Sequence, residues 1–257
     1  MDGDEVLQRF RRAYNTPWGA SSLRYVGDAR PFWRHIVEES TGCYQPEVSE
    51  AIYEYYARAE AWHVMPGAVE ALQRLKGAGV LLAVVSNFDT RLRPLLRRLG
   101  VEGLFDAVIV SAEVLAEKPN PVIFDAAVRA LSATAVTRGS LRVGTSGAAG
   151  HAAVTPYPVP YQNGMAVGDF GPLVSNGQPF LSLGGPGGTA DFAPLSPEQV
   201  VHVGDDRRND CWGARDAGLV AWQWGYDVRS WVEVADRVLL GSQVDEYYEN
   251  LSYEARG

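Results

Sequence analysis

Cysteine is nearly absent: the chain has only Cys43 and Cys211, far apart and outside any CxxC spacing. No zinc or redox motif can be built from them, and two thiols in a reducing compartment is the favoured reading. Long apolar runs are missing too. None approaches the roughly 20 residues needed to cross a bilayer. Basic residues are outnumbered, 23 Lys and Arg against 31 Asp and Glu. The formal charge of −8 would repel polyanions, which argues against nucleic acid or an anionic membrane as the main partner. The opening Met1-Asp2-Gly3-Asp4-Glu5 is too acidic for a signal or transit peptide. An intracellular protein is expected, cytoplasmic by default, although an organelle address on a segment upstream of Met1 would not be visible here. Nothing in the sequence bears on the oligomeric state.

What is present divides into stretches of different texture. With 46% hydrophobic residues over 257 positions, a core of ordinary size is available. Residues 1–62 are rich in aromatics and charges at helical spacing, as in Ile52, Tyr55, Tyr56 and Ala59, and read as a helical subdomain. From residue 63 to 132 the pattern alternates. Val69, Leu72 and Leu75 mark a helix. Val80–Val85 reads as a strand buried on both faces, and Leu92, Leu95, Leu96 and Leu99 as a helix closed by Gly100. A second strand fits Ala107–Val110, and Pro121 opens a further helix with the stripe Phe124, Ala127, Val128 and Leu131.

Residues 133–194 break this rhythm with Gly/Pro-rich, nearly uncharged sequence such as Gly184-Gly185-Pro186-Gly187-Gly188. A flexible or disordered insertion is expected there, with a small binding module or translated non-coding sequence as alternatives. Alternation returns over 195–240, with strands at Val200–Val203 and Val220–Trp224 and a last helix over Trp231–Leu240. Residues 241–257 form an acidic, Tyr-rich tail. The implied fold is α/β: a Rossmann-like parallel sheet with flanking helices, a small helical addition and a long low-complexity insertion.

Three groups of polar residues fall at the C-terminal ends of expected strands, where open parallel sheets bind ligands. Ser86 and Asn87 can donate to phosphate oxygens at a helix mouth, although both are also ordinary caps. Lys118, in Glu117-Lys118-Pro119-Asn120-Pro121, can present an ammonium to an anion or can be a solvated loop lysine. Asp205, Asp206 and Asp210 follow Gly204. Crowded carboxylates of this kind suit a hard divalent cation, and the alternative is helix capping. His202 and His63 have no partner at ligand spacing and read as core or surface residues. Trp18, Phe32 and Trp33 either line a cleft or pack.

Taken together, these motifs resemble the second, third and fourth motifs of the haloacid dehalogenase superfamily. The closest likeness is to the branch with a helical cap between the first and second motifs, and residues 1–62 are similar to the remainder of such a cap. The resemblance implies a phosphatase-type hydrolase acting on a small phosphorylated metabolite, with Mg2+ as cofactor. It implies Ser86, Lys118 and Asp205 as catalytic residues, with Ser86, Asn87 and Lys118 holding phosphate and Asp205 with Asp206 or Asp210 holding the metal. Dehalogenation is the runner-up chemistry, disfavoured because that branch does not need the metal acids. The first motif, whose Asp is the family's nucleophile, has no match: Asp2-Gly3-Asp4 follows no strand and reads as the start of a helix. A chain lacking its N-terminal segment, with little or no turnover, is therefore expected. The alternative is a non-catalytic truncated isoform or binding protein. The resemblance also implies a first-motif strand in mid-sheet, between the strands carrying Ser86 and Asp205; without it those two strands would be left with open edges, unless they close on each other or the insertion fills the gap.

Overall fold

The computed structural model describes residues 2–18, 23–138 and 194–241, with 174–175, 178–179, 244, 247 and 248. Helix α1, Gly3–Asn15, starts where Asp2 accepts a hydrogen bond from the Glu5 amide at 2.8 Å, so the Asp2-Gly3-Asp4 run is a helix cap. Helices α2, Arg30–Thr41, and α3, Pro46–Tyr55, follow, each with proline in its first turn. Phe32 and Ile36 of α2 are among the most deeply buried side chains. They join Ala13 of α1 to Leu92, Val108 and Val110 in one apolar cluster.

Helix α4, Ala68–Gly77, leads into strand β1, Ala83–Ser86, and helix α5, Leu92–Arg98, which ends before Gly100 at φ 72°. Strand β2, Ala107–Val110, runs parallel to β1, with Val84 opposite Val108 and Ser86 opposite Val110. One helical turn, α6, Ser111–Val114, precedes the long helix α7, Pro121–Thr137. Its buried residues Ile123, Phe124, Ala127, Val128 and Leu131 cover more than a single stripe because α7 has neighbours on several sides. It packs against β1, β2 and helix α8, Gly213–Asp216. Burying Ile123 and Phe124 completely contributes roughly 1.5–3 kcal/mol each.

Helix α7 runs five residues past position 132, so the expected boundary at 133 falls inside a helix and the Gly/Pro-rich sequence begins only at Gly139. The expected flexibility of 133–194 falls mostly outside the described residues. Within it, β3, Val174–Ser175, and β4, Gln178–Pro179, pair antiparallel. The ends of the stretch meet, since the Leu195 amide donates to the Ser132 hydroxyl at 3.0 Å.

Strand β5, Val201–Gly204, pairs in parallel with β6, Val220–Gln223. Helix α9, Trp231–Leu240, capped by Ser230, packs on α4. Residues 1–138 and 194–257 form one compact unit. The fold is thus α/β, with parallel strand pairs and flanking helices. No helix among the described residues is long and apolar enough to cross a membrane.

One expectation needs correction. The apolar run ending at Val85 forms a strand only over Ala83–Ser86: Val84 and Val85 pack against different core clusters, so both faces are covered, yet all four strand residues are only half-buried. The four residues of β5 are half-buried too. The physical reason is pairing. Among the described residues β1 bonds only to β2 and β5 only to β6, so each of these four strands keeps one unpaired edge.

Candidate functional site

The Lys118 ammonium lies between the two strand pairs. Its Nζ donates to the Val85 carbonyl in β1 at 3.0 Å and to Asp210 Oδ1, in the loop after β5, at 2.6 Å. The lysine backbone is held by Asn87, whose Oδ1 accepts from the Lys118 amide at 2.6 Å while its Nδ2 donates to the Lys118 carbonyl at 3.0 Å. Asn87 therefore positions the lysine, and its amide group is already engaged. Ser86 stands at the end of β1, beside Val85. Its hydroxyl has no partner among the described residues, which leaves it available to a ligand.

Asp210 is the best-buried acid of its loop, 4% exposed. Besides Lys118 it meets His202 Nε2 at 3.0 Å and accepts from the Asp206 amide at 3.0 Å. An ionised carboxylate can only accept, so His202 is the donor of that pair. Burial works against the charge of Asp210. The His202 hydrogen bond and the Lys118 ammonium outweigh it and hold the carboxyl well below the usual carboxylate range. Gly204 makes this approach possible. A Cβ at that position would collide with the Asp210 carboxyl group, which would have to move off its partners. Gly213 does the same for the opposite contact, because a Cβ there would stand 2.8 Å from Pro119.

The other two acids of the expected metal set behave differently. Asp206 is exposed and caps the π-helical turn Arg207–Trp212, its Oδ1 accepting from the amides of Arg208 and Asn209 at 2.9 and 2.8 Å. Asp205 is exposed with no side-chain partner among the described residues. Consequently Asp205, Asp206 and Asp210 do not gather round one centre, and no group of three His, Cys, Asp or Glu among the described residues could hold a metal ion. Two of the acids are committed elsewhere, one to a cap and one to Lys118 and His202.

His202 escaped the sequence reading, which sought partners at ligand spacing along the chain. The available signal was strand periodicity: His202 and Gly204 lie two apart in β5, hence on one face, and Asp210 folds back onto that face. The aromatic residues pack. Phe32 is buried, Trp18 meets it edge-on at 5.5 Å, and Trp33 donates to Asp89 at 3.0 Å. Glu117, next to Lys118, accepts from the Arg24 and Tyr25 amides and so ties the site loop to the helical stretch.

A family description, haloacid dehalogenase-like hydrolase, matches residues 3–139. The chain belongs to this family. The mouse haloacid dehalogenase-like hydrolase domain-containing protein 3 is 37% identical over 188 residues, covering 69% of this chain and 70% of the relative. The human protein of the same name is 38% identical over 139 residues, so the match takes in 50% of this chain and about half, 55%, of that relative. Among solved structures, L-2-haloacid dehalogenase from Xanthobacter autotrophicus aligns with a TM-score of 0.51 at 15% identity, over 93% of this chain and 72% of that one. The putative HAD-hydrolase YfnB from Bacillus subtilis, bound to magnesium, aligns with the same TM-score at 16% identity, over 89% and 76%. At such identities the structures support the fold alone. This hydrolase-family chain therefore carries the α/β architecture its motifs implied.

Proposed function

We propose that the rim formed by Ser86, Lys118 and the Asp205–Asp210 loop is a phosphatase-type site for a small phosphorylated metabolite. One observation carries the reading. The Lys118 ammonium is fixed at the strand ends by the Val85 carbonyl and Asp210, and the next residue along β1, Ser86, has a hydroxyl without a partner among the described residues. A fixed cation beside a free donor suits the oxygens of a phosphoryl group. In this reading Ser86 and Lys118 hold the phosphoryl oxygens, Asn87 positions Lys118, and Asp210 keeps the ammonium in place.

Magnesium, which family resemblance implies, prefers oxygen ligands, and Asp205 offers a free carboxylate. The acids as arranged do not fit a bound ion, because Asp206 is a cap and both oxygens of Asp210 have partners. No step is therefore assigned to the metal. The covalent chemistry of the family also needs a carboxylate nucleophile, and residues 1–257 contain no Asp-x-Asp at the end of an apolar strand. The expected behaviour of this chain is phosphate binding with little turnover.

The test is hydrolysis of a generic aryl phosphate with and without magnesium, beside an Asp205→Asn variant. Magnesium-dependent turnover lost in Asp205→Asn would restore the full enzymatic reading and give Asp205 its metal role. Binding of phosphate without turnover supports a binding protein built on the hydrolase fold. Failure to bind phosphate at all removes the proposal.

A further inference from the structure

In a chain of net charge −8, helix α1 collects Arg9, Arg11 and Arg12 within four positions. Helical spacing puts Arg9, Arg12 and Ala13 on one face of α1 with Thr16 just beyond its end, and His35 and Glu39 on one face of α2. The two faces meet at a cavity of about 240 Å3 that these six residues line. None of them belongs to the strand-end site. The Trp18 ring, 5.2 Å from the His35 ring, is anchored edge-on against buried Phe32, so the imidazole orientation is set by packing.

The charges in the cavity are only partly spent. Arg9 shares one nitrogen with Glu5 at 2.7 Å, on the solvent side of the same helix. The Arg12 guanidinium, the His35 ring nitrogens and the Glu39 carboxylate have no hydrogen bond or ion pair among the described residues. Basic residues late in a helix suit its dipole, which accounts for the arginines by themselves. It does not account for a histidine and a carboxylate facing them across a cavity.

We propose that this cavity binds a small phosphomonoester bearing a hydroxyl group. The guanidiniums of Arg12 and Arg9 match phosphate oxygens in their planar fork, and His35 contributes a further donor. Glu39, an acceptor only, takes the ligand hydroxyl and rejects a ligand that is anionic throughout.

The experiment uses the full chain at fixed pH, with glycerol 3-phosphate as probe and glycerol as control. The His35 ring proton, assigned by its loss in His35→Gln, should shift saturably with the phosphate ester and stay still with glycerol. In Arg12→Gln the affinity should fall roughly tenfold or more, the worth of one charge-assisted hydrogen bond. In Lys118→Met the shift should persist, which separates this site from the strand-end rim. Arg12 is exposed, so its replacement should leave the fold intact, and the circular dichroism spectrum checks that. Calorimetry on His35→Gln gives an independent reading, since one of two phosphate-ester sites should weaken while the other is unchanged. A His35 resonance that never moves, moves equally in Arg12→Gln, or is silenced by Lys118→Met overturns the proposal.

Discussion

The loops that follow β1 and β5 begin alike, each with polar and acidic residues at the end of a short parallel strand, yet they use their acids in opposite ways. After β1, Asp89 is completely buried and accepts from Trp33 Nε1 and from the Arg91 amide, Nε and Nη2, at 2.7–3.0 Å. Arg91 in turn lies 3.6 Å from the centre of the Tyr53 ring. That loop is locked into the helical stretch. After β5, Asp205 and Asp206 face solvent, and only Asp210 turns inward, onto Lys118 and His202. An acid saturated by neighbours is a structural part. An acid with oxygens to spare is available to a ligand.

The largest effect that would sharpen this contrast is expected at Asp89. Asp89→Ala strips a part-buried guanidinium and an indole N–H of their acceptor and should cost about 3 kcal/mol in urea unfolding. If it unfolds at the wild-type midpoint, the locked loop is a misreading. Lys118→Met comes next, at about 2 kcal/mol, because Asp210 stays buried with its other partners. This loss should depend on pH. The Asp210 carboxyl lies below its ordinary value of 3.8, so its stabilising contribution is complete above that value and fades as pH falls through the lowered one. The gap between wild type and Lys118→Met should therefore narrow on acidification, and a gap that widens would remove the ion pair as its source. His202→Gln should cost about 1 kcal/mol, since one hydrogen bond to Asp210 is weakened. Asp205→Ala should be the mildest, within about 0.5 kcal/mol of wild type. A large loss there would mean that Asp205 has a structural partner.

Much of the scaffold was legible because periodicity and punctuation agree. Pro121 opens α7, Gly100 follows α5, and Trp231–Leu240 is a helix at the expected bounds. The half-burial of β1 was not legible as such, because an apolar run such as Val80–Val85 states what a strand prefers to cover and not which neighbours it finds. Ser86, Lys118 and the acids after Gly204 could be marked as polar residues at strand ends. Their division of labour could not. That Asp206 caps a turn, that Asn87 grips the Lys118 backbone, and that His202 reaches Asp210 all depend on contacts between residues distant in sequence or on the wide turn at 207–212. Spacing rules built for regular helices do not anticipate that turn.

The role of Lys118 is tested most directly by calorimetric titration of inorganic phosphate into Arg12→Gln, where any binding at the α1–α2 cavity is weakened, with and without Lys118→Met. A saturable phosphate site that weakens roughly tenfold or more when the ammonium is removed is the predicted result. Equal affinity in the two proteins would contradict it, and the cation between the strand pairs would then be a structural bridge alone.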